Sequence, residues 1–264
     1  MITPGRLATF LRRGPRHLAT RLYYTVRAPK ARCFPLVIDR IKGRGLEVGG
    51  PSPIFAHRGL LPVYSRVAEL DNCNFAAETV WERPLSEGRH FRFGARTGFQ
   101  FLSEAFAIKV PDESYDFVLS SHMLEHSANP LRVLLEWRRV LRPGGHLLLV
   151  LPEARSTYDR RRPITTLEHL KHDFASSTPE SDTTHFDEIA ALHTEHPDRQ
   201  ALRTSLEDNK THRMAHHHVF DVALSVDLVR LAGFEILAQE VEYPCHIIVF
   251  ARKAGEQPAL GEAR

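Results

Sequence analysis

Sixteen of the 264 residues are histidine, and nine of these fall between positions 153 and 220. Imidazole titrates near neutral pH, accepts protons and ligates metals, so its clusters are the first places to look for chemistry. His122, Glu125 and His126 in the run HMLEH stand at i, i+3 and i+4, a spacing that turns all three toward one face of a helix. Two imidazoles and a carboxylate so placed can hold a divalent metal. The plainer expectation is a metal-free pocket wall, with His126 as a candidate general base. His216, His217 and His218 come in succession before Val219, Phe220 and Asp221. In an extended segment His216 and His218 share one face and His217 the other. His217 is taken as a second candidate base, and Asp221 as the cap of a following helix. His169, His172 and Asp173 fit one helix face, which reads as solvated surface.

A different chemistry is suggested by LEVGGPS at 46–52. Gly49 and Gly50 follow a short apolar run, where missing side chains let a ligand approach the backbone and positive φ is tolerated. Pro51 and Ser52 suit the first turn of a helix. Asp71, about twenty residues on, is spaced as an acid that accepts from ribose hydroxyls. Glu104 is placed to meet an adenine amino group. No third glycine completes a dinucleotide fingerprint, and no GK[ST] completes a phosphate loop.

These residues need a sheet to position them. Strands are expected at Gly43–Gly50, Ser65–Leu70, Gln100–Ser103, Tyr115–Ser121, His146–Pro152, Phe234–Val241 and Cys245–Arg252, with helices after Pro130 and over Ser225–Ala232. Strands alternating with helices imply an α/β fold, a doubly wound, mostly parallel seven-stranded sheet with an antiparallel last strand. The ligand site then lies beyond the carboxyl ends of the strands.

From Gly43 to Pro152 the sequence resembles the class I S-adenosylmethionine-dependent methyltransferases, in particular the type 11 group. LEVGG matches the first motif, and PDESYDFVLSSHMLEHSANPLRVLLEWRRVLRPGGHLLLVLP matches the block from the fourth to the fifth strand. The resemblance implies S-adenosylmethionine as cofactor, with Glu47 and Gly49 near its methionine end and Asp71 on the ribose. It also implies Glu104 and Ala105 at the adenine edge, and Ser120, Ser121 and His122 along the pocket; Gly50, Pro51 and Ser52 complete the loop. Pro51 stands where the family usually has a further glycine. LEVGGPS resembles a variant found in methyltransferases of bacterial surface-glycan genes, which points to a saccharide acceptor. HMLEH resembles the ExxEH metal site of ubiquinone-type O-methyltransferases and small-RNA 2′-O-methyltransferases, with His122 replacing the first acid. The expected reaction is O-methylation of a sugar or other small hydroxyl, with 153–220 as acceptor lid. Two other readings stand beside it: a catalytically silent cofactor-binding partner, and an RNA methyltransferase.

Charge bears on the partners. Residues 1–44 carry 11 Lys and Arg against one acid, whereas the remainder carries 24 against 31. Leu7, Phe10, Leu11, Leu18 and Leu22 can line a basic amphipathic face, so peripheral membrane contact through 1–44 is one expectation, packing on the domain another. The acidic body argues against nucleic acid as a partner. Cys33, Cys73 and Cys245 lie far apart, without disulfide or zinc spacing, which fits a reducing cytoplasm. No apolar run is long enough for a membrane helix. The expected organisation is a basic extension at 1–42, a methyltransferase domain at 43–253 with the lid inserted at 153–220, and a disordered tail at 254–264.

Overall fold

The computed structural model describes residues 29–76 and 85–255. Eight strands form one sheet: β1 (Arg44–Val48), β2 (Glu69–Asn74), β3 (Gly88–Phe93), β4 (Arg96–Leu102), β5 (Tyr115–Ser121), β6 (Leu141–Pro152), β7 (Phe234–Glu242) and β8 (His246–Lys253), in the order β3-β4-β2-β1-β5-β6-β8-β7. Strands β4, β2, β1, β5 and β6 pair in parallel. Strand β8 runs antiparallel to β6, β7 antiparallel to β8, and β3 antiparallel to β4.

The expected parallel sheet with an antiparallel end is present, with one strand more than the seven read from the sequence. The addition is GRHFRF at 88–93, whose Phe91 and Phe93 are buried while its arginines and histidine face out. Such alternation is what a one-sided edge strand requires, and the flanking charge masks it. Strand β2 also runs further than expected, because its polar residues Asp71 and Asn72 are satisfied inside the sheet.

Both faces of the sheet are covered, which is why β6 reads as an unbroken apolar run. Leu147, Leu149 and Leu151 pack with α2 (Pro130–Val140) and α7 (Val222–Leu231), while Leu148 and Val150 pack on the opposite side with α1 (Phe34–Arg40). Helix α2 starts with Pro130 behind Asn129, whose side chain accepts from Arg132 N–H at 3.1 Å. Helix α7 starts three residues before the expected Ser225, capped by Asp221, which accepts from Leu224 N–H at 2.8 Å.

Residues 29–42 are not a separate extension: Val37 and Ile41 are core residues, and Cys33 N–H donates to Glu240 at 3.0 Å. The domain therefore begins before Gly43. Residues 1–28, which carry the amphipathic reading, and 256–264, which carry the tail reading, lie outside the described residues. Among the described residues no helix is long and apolar enough to cross a membrane.

The segment 153–220 is less irregular than its composition suggests. It folds as α3 (Leu167–Ala175), α4 (Phe186–Leu192), α5 (Arg199–Leu206) and α6 (Asn209–His212) around a small core of Phe186, Ile189, Leu202, Leu206 and Ala215. It lies over the carboxyl ends of the parallel strands, where its Glu180 and Arg213 meet residues from the tips of β2 and β4.

Candidate active site

The loop after β1 is shaped from beneath. Gly49 has φ +85°, and a Cβ there would come within 2.8 Å of Met123 Cγ. A Cβ on Gly50 would lie 2.2 Å from the Glu47 carboxyl carbon, so the glycine is what lets that acid tuck under the loop. Glu47 is fully buried and accepts from Ser52 N–H at 3.0 Å and the Tyr64 hydroxyl at 2.6 Å. Asn72 brackets the next peptide, accepting from Gly50 N–H and donating to Gly50 C=O, both at 3.0 Å. Asn74 donates to the same carbonyl at 3.2 Å. After the loop comes a 3-10 turn, Pro53–Phe55, rather than the helix expected at Pro51 and Ser52. Prolines at 51 and 53 withhold two backbone donors there.

This loop forms one wall of a cavity of about 800 Å³ at the strand tips, within the usual range for cofactor sites. Gly49, Gly50, Pro51 and Ser52 line it from β1, Glu104 and Ala105 from β4, and Ser121 and His122 from β5. Three expected ligand residues do not line it. Glu47 acts under the loop. Ser120 is buried, its hydroxyl donating to Val48 C=O at 3.1 Å. Asp71 faces away, held by Arg44 at 2.6 Å, Phe99 N–H at 2.9 Å and the Tyr115 hydroxyl at 3.0 Å. Because β2 continues to Asn74, the residues at its tip that reach the cavity are Cys73, Asn74 and Phe75. An asparagine at the end of a strand was the available signal.

Glu104 reaches the cavity but already has a partner. Arg213, from the 153–220 segment, bridges Glu104 and Glu180 at 2.8 Å each, with its guanidinium carbon 4.8 Å from the Phe75 ring centre. Burial raises the Glu104 carboxyl, with Arg213 opposing it. Nothing in the sequence around Arg213 marked this role; it sits at φ 50°, in the left-handed region, after α6.

A second cavity, about 660 Å³, adjoins the first and shares His122 and His126 with it. HMLEH is not an α-helix. His122 takes φ 52° at the end of β5, and only Leu124–His126 form a 3-10 turn. The three side chains nevertheless converge, because Glu125 Oε1 lies 3.7 Å from His122 Nδ1, 3.8 Å from His126 Nε2 and 4.0 Å from His216 Nε2. Neither Glu125 oxygen has a hydrogen-bond partner among the described residues. Burial pushes this carboxyl up to about 7. Burial likewise takes His122 down to about 3, with His246 and His216 adding to the effect, and His126 well below 6.5. The junction is therefore lined by neutral imidazoles. His122 Nε2 is 2.8 Å from His246 Nδ1, a pair in which one nitrogen donates and the other accepts.

Of the three successive histidines, the one facing this site is His216, not the expected His217. His217 is fully buried in the lid, 3.2 Å from the Asn209 amide, and lines neither cavity. The expected alternation is not what the structure shows: His217 and His218 both lie against His185, whereas His216 alone turns toward Tyr158 and Asp159. His216 lies 2.6 Å from Asp159 through Nδ1 and 2.5 Å from the Tyr158 hydroxyl through Nε2. Arg162 donates to Asp159 at 3.0 Å and to His216 C=O at 2.7 Å. Burial raises the Asp159 carboxyl, but the His216 hydrogen bond and charge, with Arg162, outweigh it and hold the group below its usual range.

The larger cavity suits a nucleoside-sized ligand: the Gly49–Gly50 cradle would be filled by a Cβ, and apolar groups from Phe75, Ala105 and Phe106 stand opposite. Residues 50–149 match the model of a methyltransferase domain family. No curated protein matches the chain. Similar solved structures include a SAM-dependent methyltransferase from Aquifex aeolicus, 14% identical over 83% of this chain and 87% of that one, with a TM-score of 0.45. Another, from Methanosarcina mazei, is 17% identical over 84% and 98%, with a TM-score of 0.46. A third, from Mesorhizobium loti, is 15% identical over 83% and 95%, with a TM-score of 0.47. The matched residues begin inside the glycine loop and include the tips of β2, β4 and β5; over this stretch the chain is similar to a methyltransferase domain.

Proposed function

We propose that this protein is an S-adenosylmethionine-dependent methyltransferase that methylates a hydroxyl of a small polar acceptor, a saccharide being the expected kind, held in the second cavity under the 153–220 segment, which acts as a lid. The observation that carries this reading is the sharing of His122 and His126 by two cavities, the second of which has the His216–Asp159 pair in its wall. Ser156, Thr157, Tyr158 and Glu195 give that wall hydroxyl and carboxylate groups suited to a polyol.

S-adenosylmethionine supplies, when bound, an electrophilic methyl carbon on a sulfonium, so the protein's tasks are to align the acceptor and to take its proton. His216 is set up for the second task. Its Nδ1–H donates to Asp159, which leaves the Nε2 lone pair directed at the Tyr158 hydroxyl. An acceptor hydroxyl at this wall passes its proton to Nε2, directly or through Tyr158. Asp159 stays ionised, fixes the tautomer and stabilises the imidazolium that forms. His122 and His126, kept neutral by burial, line the junction without repelling a cation.

The test has two stages. Calorimetric titration with S-adenosylhomocysteine should show one site per chain. Labelled methyl transfer to a panel of free sugars and nucleotide sugars should then place the label on oxygen, whereas label on nitrogen or carbon would overturn the hydroxyl reading.

A further inference from the structure

Away from both cavities, the lid gathers His169 and Asp173 from one face of α3, His185 from the residue before α4, and His218 from the segment returning to the sheet. Their donor atoms lie close together. His169 Nε2 lies 3.2 Å from His185 Nε2 and 3.2 Å from Asp173 Oδ2, and His218 Nε2 lies 3.6 Å from the same oxygen. The three imidazoles each bring a nitrogen within 4.8 Å of the others. Four ligands around a tetrahedral zinc at 2.0–2.2 Å stand about 3.3 Å apart, so the His169–His185, His169–Asp173 and His218–Asp173 separations of 3.2–3.6 Å are close to those of a coordination shell.

Hydrogen bonding alone accounts poorly for this arrangement. Asp173 is 7% exposed, yet its Oδ2 has no hydrogen-bond partner among the described residues. Its other oxygen is fixed by the Thr178 hydroxyl at 3.2 Å, an outer contact of the kind that orients a ligating carboxylate. The Ala128 carbonyl, 3.3 Å from His218 Nε2, is the contact that coordination would replace.

We propose that His169, Asp173, His185 and His218 form a tetrahedral site for a divalent transition metal, zinc by ligand type, that clasps the lid. Three imidazoles and one carboxylate suit zinc, and four protein ligands leave no open position, which makes the site structural. None of the four lines either cavity. The ion would tie α3, the start of α4 and the His216–His218 segment together, and so fix the backbone that carries His216. This inference does not depend on the acceptor, or on which group acts as base.

The full chain, freed of metal by chelator and titrated with zinc chloride, should bind one equivalent at this site, with a rise in Tm of several degrees. Cobalt should give the intense visible bands of four-coordinate geometry. The His169 side chain is 38% exposed, so His169→Ala should fold and should weaken zinc binding at least a hundredfold. His185→Ala should do the same, while His216→Ala and His246→Ala should leave this equivalent in place. Failure of the unsubstituted chain to bind zinc or cobalt would overturn the proposal. So would binding that persists in His169→Ala and His185→Ala, or that is lost in His216→Ala or His246→Ala instead.

Discussion

Around Gly50, buried polar groups meet at hydrogen-bond distance: Glu47 with Ser52 and Tyr64, and Asn72 with both ends of the Gly50 peptide. Around Glu125, on the lid side of the same crevice, three imidazoles approach to 3.7–4.0 Å and neither carboxylate oxygen has a hydrogen-bond partner among the described residues. A satisfied network in low dielectric fixes one geometry, whereas an unsatisfied one leaves proton position and contacts responsive to whatever enters. The difference separates two tasks. On the proposed function, the loop side presents an unchanging cradle to the cofactor, and the lid side exchanges a proton and admits the acceptor.

The largest effect should come from breaking the lid side alone. His216→Ala removes the proposed base but leaves the Gly49–Gly50 cradle untouched. General-base loss typically costs about 10²–10⁴-fold in turnover. The expected outcome is a kcat reduced in that range on a hydroxyl acceptor, with S-adenosylhomocysteine affinity unchanged in calorimetry. A comparable loss of cofactor affinity would show that the two sides are not separable. Asp159→Asn should reproduce most of the kcat loss by freeing the His216 tautomer.

Next in size is the unsatisfied carboxyl itself. Burial moves Glu125 from 4.5 to about 7. Between those values the folded chain keeps a proton that the unfolded chain has released, so this group's contribution to stability falls as pH rises through the window. The gap corresponds to roughly 3 kcal/mol, fully expressed above pH 7 and absent below 4.5. Glu125→Gln has no such dependence. It should be more stable than the unsubstituted chain at pH 8 by up to that amount and close to it at pH 4.5, as read by urea unfolding at the two pH values. The buried histidines act with the opposite sign: His122 near 3 and His217 near 4 stay neutral when folded, so stability drops as pH falls below 6.5 in both proteins. Equal stability of Glu125→Gln and the unsubstituted chain at pH 8 would mean the carboxyl is ionised and compensated.

The two sides also differ in how far their sequences reveal them. Strand β5 was legible residue for residue, because a strand covered on both faces must be apolar between its charged ends. The cradle at Gly49 and Gly50 was legible for the same kind of reason, since local geometry demands glycine. Asp71 misled because a polar residue in mid-strand looks like a strand end, and its partners Arg44 and Tyr115 come from other strands. On the lid side almost nothing is local. Whether His216 or His217 faces the cavity is fixed by the packing of Phe186, Leu202 and Leu206 against the segment that carries them, which no spacing records. Arg213 is the extreme case, a surface-like basic residue in the sequence that becomes a buried bridge only when α6 ends beside Glu104.

That residue belongs to both sides, and its replacement should have the smallest effect of the three. Arg213→Met keeps an unbranched apolar stem but is shorter and lacks the guanidinium over Phe75, so it removes both ionic ties, to Glu104 on the sheet and to Glu180 on the 153–220 segment. Glu180 retains donors in the Ser127 hydroxyl at 2.6 Å and Ala128 N–H at 3.2 Å, so the lid stays folded. Glu104 loses the guanidinium that holds it at 2.8 Å and with it a fixed orientation at the edge of the larger cavity. A hydrogen bond to a charged group contributes about 1.5–3 kcal/mol, part of which water recovers at a half-exposed site. S-adenosylhomocysteine should therefore bind about five- to tenfold more weakly, by calorimetry, with kcat at saturating cofactor nearly unchanged. A kcat loss as large as that of His216→Ala would mean that Arg213 carries lid geometry into the second cavity, and that the two sides work as one unit.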